Sequence, residues 1–148
     1  MKLLERLFSP VIYFVNSLLM QTHYCHGPRS RLHIGRGVTL VNTLFNVASG
    51  HIYIGDNTIF GHNCMVLTGR HEFVDGRRRK LVAGSGEIPA EGHDIVIGTG
   101  CWVASGAIIL GRVTIGDNSI VGAGSVVTED LPAGVFAAGV PARVIKKI

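Results

Sequence analysis

No apolar run in this sequence is long enough to cross a bilayer. The longest candidate, Val11 to Met20, is interrupted by Asn16 and falls short of the ~20 residues that a spanning helix needs. The segment also lacks the small-residue cleavage site of a secretory signal. Cysteine is scarce: three residues, an odd number, exclude a disulfide framework. Basic charge is present without the aromatic interleaving of a nucleic-acid surface. The net charge of +4 and pI near 9.3 arise mainly from Arg77-Arg78-Arg79-Lys80 and from Arg143, Lys146 and Lys147. That distribution excludes a duplex-binding face and suits small anionic ligands such as phosphates.

What the chain does have is a six-residue period. Aliphatic residues stand at 97, 103, 109, 115, 121 and 127 without a slip. A small residue follows most of them (Gly98, Ala104, Gly116, Gly122), and another lies four places on (Cys101, Ala107, Ser119, Ser125). Neither a helix nor an ordinary strand repeats every six residues. A chain turning a corner every six does, and three corners close a triangular coil whose aliphatic residues stack inside. Glycine allows the corner conformations that other residues resist. Cys64 and Cys101 fall on the small interior phase, so they read as buried thiols of a reducing, cytoplasmic protein.

The same phase appears upstream at Ile54, Phe60 and Val66. Ile34 and Leu40 are out of phase with Ile54 by two residues, which predicts a small corner insertion around Ser49 to His51. The spacing of 43 residues from Ile54 to Ile97 is seven hexads plus one, so a segment leaves the coil. Glu72 to Asp94 is that excursion: it holds no hexad, one Pro, four Gly and the 77–80 basic run. A loop of this length in a compact domain usually serves a function. The predicted organisation is a single domain: a helix and cap over 1–30, a solenoid of four or five coils over 31–148, and within it the 72–94 loop and a tail over 131–148.

Residues 1–21 follow a helical rule instead, with Leu3, Leu4, Leu7, Phe8, Val11, Ile12, Val15, Leu18 and Leu19 at three- and four-residue spacing. Ser9-Pro10 reads as an N-cap and first helical residue, which predicts a helix from Pro10 to about Gln21. Its roles stay open between covering the first coil, packing on a neighbouring subunit, and weak contact with a membrane surface.

The stretch TIGDNSIVGAGSVVTEDLPAGVFAAGVPARVIKKI, preceded by CWVASGAII, resembles the hexapeptide-repeat acyltransferases, and within them the sugar O-acetyltransferases. The likeness extends over residues 54–148 and is strongest over 97–148. It implies an all-β fold, a left-handed parallel β-helix, in a homotrimer with acetyl-CoA as co-substrate and active sites between subunits. The family's catalytic base is a His at a coil end ahead of a protruding loop, and His71, in Leu67-Thr-Gly-Arg-His-Glu-Phe, holds that place. A sugar hydroxyl must lose its proton as it attacks, and imidazole is suited to accept it near neutral pH. By the same resemblance Trp102 lines the cleft beside acceptor and pantetheine, Ser105 and Ala123 meet the pantetheine arm, Thr128 and Arg143 lie near the adenosine, and Lys146 pairs with a phosphate. Asn46 matches an acceptor-binding Asn, with Asn42 an alternative alignment. Glu72 follows the His where the sugar enzymes often have Pro, at the acceptor side, and Glu129 stands where a Lys is common.

The resemblance leaves several functions open: O-acetylation of a sugar, nucleotide-sugar or glycan, anionic or neutral; N-acetylation of an amino-sugar; or a non-catalytic trimeric scaffold. A metal-dependent class with the same fold, the γ-type carbonic anhydrases, brings three His to zinc, two of them from Gly-His-x-x-x-x-His-Gly. Here Val103 to Gly111 contains no His, and His62 and His93 are not at ligand spacing, so no metal is expected.

Overall fold

The computed structural model describes residues 8–15, 18, 23–83 and 88–148. Three sheets wall a triangular prism. The first face carries β1 (His23–His26), β4 (Thr43–Asn46), β7 (Met65–Leu67), β12 (Ile108–Leu110) and β15 (Val126–Val127), in that order. The second carries β2 (Leu32–Ile34), β5 (Ile52–Ile54), β10 (Ile95–Ile97) and β13 (Val113–Ile115). The third carries β3 (Thr39–Val41), β6 (Ile59–His62), β11 (Trp102–Val103), β14 (Ile120–Val121) and β16 (Val135–Gly139). All of these pair in parallel, giving about five coils of the parallel β-helix that the resemblance implies.

The six-residue phase becomes columns inside the prism. Phe45, Val66, Ile109 and Val127 stack along the first face, Ile54, Ile97 and Ile115 along the second, and Phe60, Val103, Val121 and Ala137 along the third. All are buried, as are Cys64, Cys101, Ala107, Ser119 and Ser125 between them. Burying each large aliphatic residue contributes about 1.5–3 kcal/mol, so the columns are the main source of stability.

The Ile-Gly-Asp-Asn hexads have a mechanical reason. One corner is a column of left-handed residues, Gly37, Asn57, Gly100, Asn118 and Gly134, with φ between 56° and 68°. Gly and Asn are the residues that adopt this region at least cost. The Asp ahead of each Asn reaches to the coil above: Asp56 accepts from the Arg36 amide and Asp117 from the Thr99 amide, each at 2.8 Å. A Cβ on Gly35 would meet Asp56 Oδ1 at 2.6 Å, so the residue over that carboxylate has no room for a side chain.

The phase slip is more than one insertion. Thr39 pairs with Ile59 but Val41 with His62, so one residue fewer is spent within β3, around Leu40, than one coil on. From Phe45 to Ile54 the chain spends nine residues where Ile109 to Ile115 spends six. The longer corner contains Ser49 to His51, as expected, and the shortening around Leu40 was not expected. Downstream, Ile97 and Ile115 are 18 apart whereas Ile54 and Ile97 are 43 apart, so the corner between β7 and β10 absorbs the whole excursion and the register resumes unchanged.

That loop has structure of its own. β8 (Phe73–Val74) and β9 (Arg77–Arg78) form a hairpin around Asp75-Gly76, both at positive φ (49° and 73°), followed by a short helix over Arg79–Ala83. Asp-Gly between short strands is a strong hairpin signal. At the other end β17 (Ala142–Lys147) folds back antiparallel onto β16, so residues 131–148 close the third face with a hairpin that covers its edge. The first face begins at His23, inside the segment expected as helix and cap.

Residues 8–15 are helical. Because Phe8 is already helical, Ser9 lies within the helix, which corrects the N-cap expectation; the expected end near Gln21 lies outside the described residues. Phe8, Val11, Ile12, Phe14, Val15 and Leu18 are exposed, apart from the core. Among the described residues no helix is long and apolar enough to cross a membrane.

Candidate active site

Ser49 holds both ends of the loop. It is fully buried; its amide donates to Thr68 Oγ1 (3.2 Å), its Oγ accepts from the Arg70 amide (3.2 Å), and its carbonyl accepts from the His93 amide (3.1 Å). Thr68 in turn donates its hydroxyl (2.8 Å) and its amide (2.9 Å) to the Asn46 carbonyl. Gly69 passes so close to Asn46 that a Cβ would lie 2.7 Å from its Nδ2. His71 is the first residue past this clasp, exposed where the chain leaves the prism. Glu72 is turned inward to the loop: its carboxylate pairs with Arg79 at 2.6 Å and its carbonyl accepts from the Arg79 amide at 2.8 Å.

Asn46 is thus beside the root of the His71 loop, its Oδ1 accepting from the Ala48 amide at 2.9 Å. Asn42 sits at a different corner, at φ 49°, with its Nδ2 against Asn63 Oδ1. Thr128 lies at the His71 corner, two coils below. It lines a cleft of about 460 Å³ with Arg70, His93, Leu110 and Arg112.

The remaining expected residues lie elsewhere on the prism. Ser105 and Ala123 stack one coil apart at the corner between the third and first faces. Ser105 Oγ accepts from the His62 amide (3.0 Å) and its carbonyl from the Gly124 amide (3.0 Å). Trp102, 51% exposed, stands in the outward row of the third face between Ile59 and Ile120. Lys146 is paired beside Phe136 at the end of that row. Arg143 meets Glu129 at 3.2 Å, so the acidic departure faces the guanidinium expected near the cofactor. Within one chain the structure gathers His71, Asn46 and Thr128 at one corner and separates them from Ser105, Ala123, Trp102 and Lys146.

Ser49, Arg70 and Arg112 were not singled out as site residues from sequence, and His93 was weighed there only as a metal ligand. The pairing of Leu67 with Leu110 stacks residues 68–70 over 111–112, and carrying the hexad count around that corner would have brought the two arginines together. Burial pushes the Cys64 and Cys101 thiols up, away from this corner, and also that of Cys25, which stacks on Phe45 next to Asn46. Among the described residues no group of three or more His, Cys, Asp or Glu gathers to hold a metal.

Comparison with known proteins agrees with this architecture. The family described as bacterial transferase hexapeptide (six repeats) matches residues 94–129. The galactoside O-acetyltransferase of Escherichia coli K12 is 41% identical over 119 residues, covering 80% of this chain and 55% of the relative, so this chain spans little more than half of that protein. The galactoside O-acetyltransferase of Lactococcus lactis subsp. lactis IL1403 is 30% identical over all 148 residues, 67% of its own length. A solved galactoside acetyltransferase in complex with coenzyme A superposes with a TM-score of 0.68 at 34% identity, covering 89% of this chain and 68% of the other.

Proposed function

The chain belongs to the hexapeptide-repeat acetyltransferase family, and from that premise we propose that it transfers acetyl from acetyl-CoA to a hydroxyl of a sugar or glycan, with His71 as general base. The observation that carries the reading is the position of His71, exposed one residue beyond the Ser49 clasp. Its imidazole takes the proton from the acceptor hydroxyl as that oxygen attacks the thioester carbonyl. The carbonyl becomes a tetrahedral oxyanion, which a backbone N–H is suited to hold. Collapse forms the acetyl ester and releases the CoA thiol, the proton returning from the imidazolium. No covalent acetyl-enzyme is required.

The division of site residues between two corners favours an assembly in which two protomers line each cleft. The His71 corner of one would face the Ser105, Ala123 and Trp102 surface of the next, and three such contacts close a homotrimer. Trp102 and Ile59, 51% and 49% exposed on the third face, are suited to such a boundary. Asn46 and Trp102 would then meet the acceptor, with Thr128, Arg143 and Lys146 along the cofactor.

The experiment is thiol release from acetyl-CoA with pooled sugars, repeated with His71→Ala. General base catalysis is worth about 10²–10⁴ in rate, so the variant should lose that factor and still bind CoA. Near-normal turnover of the variant would overturn the assignment.

A further inference from the structure

We propose that the cleft at the root of the His71 loop is a subsite for an anionic group on the acceptor, a carboxylate or phosphate carried by the sugar, held between Arg70 and Arg112. The inference rests on the acceptor binding at the His71 corner and adds the chemical class that it carries.

Both arginines line one cleft of about 460 Å³, with His93 beside them, and no carboxylate lines it. The nearest acid at the adjoining cleft, Glu72, is held by Arg79, and Glu129, next to Thr128, by Arg143. Among the described residues neither the Arg70 nor the Arg112 guanidinium has an acidic partner. Two unneutralised guanidinium groups in one concavity repel each other and attract an anion, and their planar forks fit a carboxylate or phosphate.

The backbone places them deliberately. Arg70 is fixed by the hydrogen bond its amide donates to Ser49 Oγ, and His93 by the one its amide donates to the Ser49 carbonyl. Below, Gly111, at φ 75°, donates its amide to the Leu67 carbonyl at 3.0 Å, and the turn that it makes presents Arg112 one coil under Arg70. Adjacent coils are about 4.8 Å apart, a separation that one carboxylate or phosphate can bridge. Arg70 precedes His71 in the chain, so an anion held here leaves the rest of a sugar beside the base. Thr128, at the far end of the cleft, is the residue assigned to the cofactor, which puts the cation pair on the acceptor side of it. Of the 77–79 run, Arg79 is committed to Glu72.

The test is equilibrium binding, independent of turnover, by calorimetry with galacturonate, galactose and CoA as separate probes. Wild-type protein should bind galacturonate at least ten-fold more tightly than galactose. Arg70→Gln and Arg112→Gln should each remove most of that preference, and Arg112→Lys should keep part of it, while CoA affinity stays within two-fold throughout. Both side chains are exposed, and unchanged unfolding midpoints would show that the variants fold. Equal binding of the two sugars by wild type, or a preference that survives the double variant, would overturn the proposal. So would a loss of CoA affinity in the variants with galacturonate unaffected, which would assign the cations to the cofactor's phosphates. An active His71→Ala protein that retained the galacturonate preference would remove the catalytic reading and leave the subsite standing.

Discussion

Replacing Ser49 with Ala isolates one strut of the His71 corner. The Ser49 hydroxyl is the acceptor for the Arg70 amide at 3.2 Å, while its carbonyl and amide serve His93 and Thr68 through the backbone. Alanine removes the first bond and leaves the other two. A hydrogen bond of this kind contributes about 1 kcal/mol, and leaving a partly buried donor unpaired raises the cost to ~1–3 kcal/mol. Global stability should therefore fall by about 1–2 kcal/mol. The local effect is more specific. Hydrogen exchange at the Arg70 amide, which loses its acceptor, should quicken by a factor of roughly 5–30 beyond the acceleration shared by the whole domain, and the His93 amide should show the shared part alone. Because Arg70 leads directly into His71, turnover should also fall; displacement of a reacting group by ~1 Å can cost about 10² in rate. Equal acceleration at Arg70 and His93, or none at either, would show that the side chain does not hold the loop root.

Other expectations follow from individual contacts. Gly55→Ala would put a Cβ 2.5 Å from the Thr99 amide nitrogen and 2.6 Å from the Gly98 carbonyl carbon, both backbone, and denaturant unfolding should show a loss of at least ~1–3 kcal/mol. Gly124→Ala, with open space but φ 66°, should cost only the ~1–2 kcal/mol of a left-handed alanine; the reverse ranking would refute the stacking argument. Burial pushes all three thiols up, but Cys64 and Cys101 are buried whereas Cys25 is half-buried, so native thiol labelling at mildly alkaline pH should modify Cys25 first and the other two only on unfolding. The Asp56 carboxyl is held below the usual carboxylate range, first by the Arg36 amide and then by its guanidinium. That contribution is complete above the ordinary carboxylate value of about 3.9 and is lost as pH falls through the lowered native value. Asp56→Asn should flatten the acid limb of the stability curve, and an unaltered limb would count against the assignment.

The interior of this fold is legible because stacking returns the same position every coil. Val103, Ile109 and Val121 meet their own kind above and below, so one period identifies core, faces and corners together. The excursion is legible as arithmetic, since the phase resumes at Ile97 after a remainder. Less visible were features that depend on which atoms come face to face across an irregular corner. The slip before Ile54 combines a residue lost around Leu40 with three gained between Phe45 and Ile54, and only its sum appears in the sequence. The Ser49 clasp lies inside that irregularity, and no local pattern marks a serine whose hydroxyl and carbonyl hold amides 21 and 44 residues away. Asp75-Gly76 carried its hairpin signal openly within what was read as irregular loop. At the site, the placement of His71 follows from chain order alone, whereas the pairing of Arg70 with Arg112 follows only from three-dimensional register.

Because the coil register resumes unchanged after the excursion, the loop is an insertion that leaves the stacked columns as they were, touching the prism through Arg31, which donates to the Ala90 carbonyl at 2.8 Å. Its length enters stability through closure entropy, about 0.6 kcal/mol for each doubling. The segment between Arg70 and His93 could therefore be lengthened, shortened or exchanged for another while the columns beneath keep their packing. Such a chain separates the part of its sequence that must stay constant to fold from the part that can be rewritten to meet a new substrate. Descent within this architecture can then proceed by replacing a handle on an unchanged post.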